Sequence, residues 1–270
     1  MASAIWSFVL CGFAVTAVPA QAADMGVPSR SYYPASPPPP AIYDWTGVYV
    51  GGHVDGGILV DSVSQNGVSP GGFGLSGSAN LRPAGVIGGA QIGANYEFAP
   101  WVVGVEASWT DSGISGSTLT GCVGGCAVPP APGTLIASER FTSEAQWFAA
   151  LTGRVGYAAN DWLFYAKAGG AWMRVKYAED LLAAGGGGVP AGATVVTQVI
   201  DDNRTGFTVG AGIEFGLVEN LSAKIEYDFY DFGSKNYNFA SITPVSVKSN
   251  LHTVIVGLNY KFNWSGGPKP

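Results

Sequence analysis

Chemistry in this chain would have to come from a short inventory. Of 270 residues only two are histidine, His53 and His252, and three are cysteine. Catalysis by an activated nucleophile needs an imidazole that meets both a Ser or Cys and an orienting carboxylate. Period-two alternation sets His53 on the inward phase of its segment and His252 on the outward phase of its own, so the two rings do not converge. No catalytic, cofactor-binding or metal-binding residue is therefore assigned. Cys11 sits in an apolar leader, which leaves Cys122 and Cys126 in a Gly-rich stretch. Two thiolates are half of a zinc site, and no His or Cys partner lies nearby. In an exported chain the expected state of the pair is a small disulfide.

The other reactive groups are charges at alternate positions inside apolar and aromatic runs. Lys224, Glu226 and Asp228 alternate with Ala223, Ile225, Tyr227 and Phe229, and Lys261 lies between Tyr260 and Phe262. Glu97, Glu106, Arg154, Lys167 and Glu214 fall on the same polar phase of their own segments. Counting from the tight turns sets Glu214 opposite Lys224 and Arg154 beside Lys167, with Glu106 and Glu226 at one height. Buried charges must pair or face a large desolvation cost. The predicted lumen cluster is thus Glu106, Arg154, Lys167, Glu214, Lys224, Glu226 and Lys261. Its expected role is a structural plug, with a narrow pore for small solutes as the alternative. A lipid-modifying enzyme on the same scaffold is a remote third, since it would need a Ser or His at the bilayer rim.

Strands must position these residues, because alternation recurs in segments long enough to cross a bilayer when tilted, about 9–11 residues. They are predicted at 45–57, 84–98, 101–113, 144–158, 162–176, 203–216, 221–233 and 250–263. Short turns at 99–100, 159–161 and 217–220 alternate with long loops at 58–83, 114–143, 177–202 and 234–249, as in a barrel with short periplasmic turns. The fold expected is all-β, an eight-stranded antiparallel up-and-down transmembrane β-barrel with both termini periplasmic. A soluble sandwich or lipocalin-like barrel would turn charge outward, whereas here Lys and Glu oppose the aromatic face. Aromatic residues gather at the short-turn ends: Trp45, Phe98, Trp101, Tyr157, Trp162, Phe215, Tyr260, Phe262 and Trp264. Such a girdle belongs at a membrane interface.

Composition agrees. Apolar residues make up 47% and charged ones 12%, which is little charge for a water-facing surface of this size. The net charge of -6 and the absence of a Lys/Arg run exclude nucleic acid as a partner. Residues 1–22 read as a signal peptide ending at Ala20-Gln21-Ala22, residues 23–44 as a Pro-rich periplasmic tail, 45–264 as the barrel and 265–270 as a C-terminal extension. The uncharged stretches 112–138 and 181–200 are too rich in Gly, Pro, Ser and Thr to cross a membrane as helices.

The segments WTGVYVGGHVDGG, GVIGGAQIGANYEF, LSAKIEYDFYDFG and HTVIVGLNYKF resemble the porin-like outer-membrane β-barrel proteins of alphaproteobacteria, related in architecture to the OmpA membrane domain. The resemblance covers 41–264. It implies a surface-antigen type of barrel that contributes to envelope integrity and displays loops whose ligands are unknown. Its implied partners are outer-membrane lipids and, during assembly, the outer-membrane insertion machinery. Gly257, Tyr260 and Phe262 match the spacing of that machinery's recognition signal, although Ile255 and the residues after Phe262 depart from it.

Overall fold

The computed structural model describes residues 43–65, 78–127, 135–186, 188–238 and 244–262. The predicted signal peptide, most of the Pro-rich tail, Trp264 and the C-terminal extension lie outside them. The strands are β1 (Gly47–Gln65), β2 (Ser78–Leu81), β3 (Ala84–Phe98), β4 (Trp101–Ala127), β5 (Leu135–Ala159), β6 (Trp162–Gly185), β7 (Thr194–Val218), β8 (Leu221–Asn238) and β9 (Pro244–Phe262). Each pairs antiparallel with its neighbours in one sheet, and β1 closes the ring by pairing with β9 from Val48↔Phe262 to Gln65↔Val245.

Among the described residues nine strands make eight staves. Both β2 and β3 pair with β1, the first at Asp61↔Leu81 and the second up to Ile58↔Ala84. Pro83 interrupts them because it lacks the N–H that the ladder needs, while its carbonyl still accepts from the Leu59 N–H at 2.9 Å. The short turns fall at Ala99-Pro100, Asn160-Asp161 and Glu219-Asn220. Asn160 takes φ 55°, a left-handed conformation that Asn tolerates in a tight turn.

β3 keeps its predicted bounds, but the other staves run past theirs, β4 to β7 by far the most, and much of each expected long loop is strand. A stave of 25 residues such as β5 measures about 80 Å at roughly 3.3 Å per residue, well beyond a bilayer's hydrocarbon. The reason is an inversion of phase. Near the short turns, outward side chains are apolar and inward ones polar, with Val105, Val155, Ile225 and Val256 each at least 50% exposed. Water around such a belt would forgo about 1.5–3 kcal/mol for each large apolar side chain, so this face belongs in lipid. Farther out, the same strands carry Ser115, Ser117, Lys176 and Asp201 outward, while Ile114, Phe141, Val175, Tyr177 and Val247 point inward and are buried. The pattern that marks a lipid-facing strand therefore ends where the strand does not.

Beyond the belt the ring also splits. Among the described residues β4 pairs with β3 only as far as Asp111↔Gly88, and β7 with β8 only as far as Phe207↔Asp231. A bulge between Asp231 and Ser234, with Gly233 at φ 67°, turns β8 away. Two sheets result, β4 to β7 and β8–β9–β1–β2, which enclose an apolar core of Leu59, Ile114, Phe141, Phe148, Tyr177 and Leu251 among others. Side chains bridge the β7/β8 seam: Arg204 donates to the carbonyls of Phe232 and Gly233, and Asp202 accepts from Lys235 at 2.6 Å and Tyr237 at 2.5 Å. Partial burial pushes the Asp202 carboxyl up, but these two donors and nearby cations outweigh it and hold the group below its ordinary value. The bridge therefore stabilises the fold at neutral pH and is lost only as pH falls through that lowered value.

Phe148→Ala, which empties a fully buried site, should reduce unfolding stability in urea by about 3–5 kcal/mol. Leu151→Ala on the lipid face should cost clearly less, because bilayer or detergent fills the space. Equal losses would contradict the division into core and lipid faces.

Candidate functional site: the charged layer inside the barrel

Strand alternation delivers charges from five staves to one height in the lumen. Glu106 of β4 stands at the centre. Its carboxylate lies 3.4 Å from Lys224 Nζ, 3.5 Å from Lys167 Nζ and 3.8 Å from Arg154 Nη1, and it accepts from the Tyr49 hydroxyl at 2.8 Å. Glu226 receives Lys167 at 2.5 Å, Lys224 at 3.6 Å and the Tyr165 hydroxyl at 2.6 Å. Asp228 adds a carboxylate 2.8 Å from Lys167. Glu214 takes Arg154 at 3.3 Å, Ser222 at 2.5 Å and Asn259 at 2.8 Å. Arg154 also donates through Nε to Asn95 at 2.8 Å, and its guanidinium lies between the rings of Tyr49 and Tyr165, 4.8 and 5.1 Å from their centroids. All these charged side chains are buried. Gly212 makes room for the layer, because a Cβ there would stand 2.7 Å from the Tyr165 ring.

The register pairs Glu214 with Lys224 and Arg154 with Lys167. Direct charge contacts follow another pattern: Glu214 engages Arg154 and leaves Lys224 to Glu106 and Glu226. Lys261 is a correction to the predicted cluster. It sits at the short-turn mouth, where it donates to the Asp44 carbonyl and covers the Tyr43 ring at 4.6 Å. Trp45 is another correction. It is 2% exposed and packs inside with Tyr43, Val102, Leu163 and Tyr165, so it closes the mouth instead of joining the outward girdle. Tyr49 and Tyr165 were missing from the predicted cluster, and their signal was an aromatic residue on the polar phase of its strand.

Above the charges comes the apolar core, and within it, between Leu59 and Val63, lies a second polar node. There Asp61 accepts from Ser143 at 2.5 Å and from Ser249, while Arg204 donates to Ser249 at 2.9 Å and to Tyr177 at 3.1 Å. The lumen is thus layered: aromatic mouth, charges, then an apolar core that encloses a polar node.

The histidines lie on opposite faces of the wall. His53 is buried with Nε2 3.3 Å from Thr110 Oγ1, whereas His252 meets the Tyr227 hydroxyl at 2.8 Å beside the Phe229 ring on the outside. Among the described residues no group of three or more His, Cys, Asp or Glu is arranged to hold a metal ion. Cys122 and Cys126 fall near the far end of β4, Cys122 within a register shift that opens after Gly121 and Cys126 where pairing resumes, and their side chains lie outside the described residues. Gly257, Tyr260 and Phe262 sit on β9, Gly257 facing in and the two aromatics facing lipid.

A family model for the outer membrane protein β-barrel domain matches residues 8–262. The chain belongs to this family. It is 31% identical over 267 residues to the 31 kDa outer-membrane immunogenic protein of Brucella melitensis, covering 97% of this chain and 100% of that one. Identity to the 25 kDa outer-membrane immunogenic protein of Brucella abortus is 26% over 261 residues, with 96% of each covered. Among solved structures, the outer membrane protein OprG from Pseudomonas aeruginosa superposes with a TM-score of 0.51 at 11% identity, over 82% of this chain and 98% of that one. The fold is therefore an antiparallel up-and-down barrel of the bacterial outer membrane, and the chain is a structural, surface-displaying barrel protein of that membrane.

Removing one acid from the layer strands a base. Glu106→Gln should lower unfolding stability by about 3–5 kcal/mol, the usual loss when a buried pair is broken. Asp201→Asn, exposed on β7, should change it by less than about 1 kcal/mol. Chemical denaturation in detergent measures both.

Proposed function

We propose that the barrel is a closed structural element with a filled lumen, not a pore and not an enzyme. The single observation that carries this reading is the layer of Glu106, Arg154, Lys167, Glu214, Lys224, Glu226 and Asp228, buried between an aromatic mouth and an apolar core. An eight-stranded barrel leaves space that side chains can just fill, and here side chains from every layer reach across it. His53, which has Thr110 Oγ1 at 3.3 Å and Asp55 at 3.7 Å, is buried inside the filled lumen and away from substrate, which supports a structural role for it. Short turns and the Tyr43–Trp45 segment would face the periplasm, with both termini there, and the tall polar end would face outward, its connections displayed. Outer-membrane lipids around the apolar belt, and the insertion machinery acting through Gly257, Tyr260 and Phe262, are the proposed partners. An N-terminal signal peptide, removed after Ala22, would bring the chain to them.

Planar-bilayer recording of the refolded protein tests the closed lumen. A silent membrane is expected, and steady single-channel steps would replace this reading with a narrow pore. Sidedness is tested by single cysteines in a Cys122→Ser/Cys126→Ser background. Ser117→Cys should react with an impermeant maleimide on intact cells, and Asn160→Cys only after the outer membrane is breached. In the unaltered protein Cys122 and Cys126 should resist the same reagent until reduced, as a disulfide would.

A further inference from the structure

We propose that the outward face of β4, β5 and β6, at the far edge of the lipid belt, binds the phosphorylated glucosamine head of a lipopolysaccharide, with Arg174 as the phosphate ligand. The proposal rests on the reading that the tall end of the barrel faces outward, because only that leaflet presents phosphorylated glycolipid.

Outward positions along β6 run Trp162, Phe164, Ala166, Ala168, Gly170, Trp172, Arg174 and Lys176. Aromatic rim, small apolar belt, second aromatic rim and then cation is the order in which a side chain meets headgroup, hydrocarbon, headgroup and water. Trp172 marks the second rim: it is 43% exposed, and its ring leans back over Gly170, 3.3 Å from where a Cβ would stand. Arg174 is the next outward residue, flanked in the register by Trp147 of β5 and Asn203 of β7. Trp147 stacks on Trp109 of β4 with centroids 4.4 Å apart and planes at 21°, and Trp109 remains 48% exposed. Three indoles and a guanidinium thus share one patch.

Three outward acids surround it without pairing with it: Asp111 of β4 is exposed on the same rung, with Trp147 between. Glu144 and Asp201 both stand opposite Lys176, one step farther out. Among the described residues Arg174 makes no ion pair. A guanidinium without a carboxylate, placed where the apolar belt meets water, matches the planar, bidentate geometry of a phosphate. Exposed indole faces suit the C–H face of a pyranose ring, which favours a sugar phosphate over a glycerol phosphate. On the far wall, among the described residues, His252 is engaged by Tyr227 and packed against Phe229, and no indole stands beside it or beside the exposed Lys248.

Native mass spectrometry of the full chain from neutral maltoside micelles tests this, with bisphosphorylated lipid A, its dephosphorylated form and phosphatidylglycerol as probes. Lipid A should be retained as one adduct, above both other lipids. Retention should fall about fivefold in Arg174→Gln, the worth of one cation near a charged lipid surface. Arg174→Lys should restore part of it, Trp109→Leu should weaken it, and Arg82→Gln, exposed elsewhere, should not change it. All of these side chains face outward, and altered gel mobility without boiling will verify each folded barrel. Unchanged retention in Arg174→Gln, or equal retention of either other lipid, would overturn the proposal. Micelles have no sidedness, so an inverted barrel would fail the cysteine labelling above and leave this readout as it stands.

Discussion

Inside hydrocarbon a backbone amide has no water to turn to, and an unpaired one costs several kcal/mol. The β1–β9 pairing meets that constraint by leaving the membrane-spanning part of the sheet without a free edge. Closure then dictates the rest. A closed wall has two faces, so each strand must alternate. Eight staves leave a narrow interior, so inward residues must fill it and satisfy one another. Short turns must tie neighbouring staves at one end, where Asn160 accepts the left-handed geometry such a turn demands.

The charges are how this interior satisfies itself. A hydrophobic filling would have been adequate for stability, since well-packed apolar replacements of buried ion pairs are often neutral or better. The layer instead combines three bases with Glu106, Glu214, Glu226 and Asp228, and supports them with Tyr49, Tyr165, Ser222, Asn95 and Asn259. Each charged contact joins a particular strand pair or spans the lumen, so a slip of one residue would turn a charge into lipid and an apolar side chain into the layer. Specification of register is thus built into the same residues that close the lumen.

How much of this was legible in the sequence depended on what lay outside the wall. The spanning parts of the staves and all three short turns could be read because lipid demands apolar residues outward and closure leaves polar ones inward. Beyond Asp111 on β4 or Trp172 on β6, water lies outside and the core within, so the alternation persists with its sense reversed and looks like the end of a strand. Heights in the lumen were readable for Arg154, Lys167, Glu106 and Glu226 because a turn of two to four residues fixes the count from either side. They were not readable for Lys261, whose long side chain bends to the Asp44 carbonyl instead of rising into the lumen, nor for Trp45, whose place depends on the chain tucking under the mouth before β1 begins.

The reversal of phase also decides what another macromolecule could touch on the tall end. Along the walls it meets only every second residue of a strand, set beside every second residue of the next: Ser115, then Glu144, then Lys176, then Asp201 across four staves. These come from widely separated places in the chain and form one mosaic only while the ladder holds. A linear peptide copied from β6 would present Val175 and Tyr177 together with Lys176, and so would offer a surface that the folded protein never shows. Recognition of the walls is therefore recognition of the assembled sheet, and chain continuity contributes almost nothing to it.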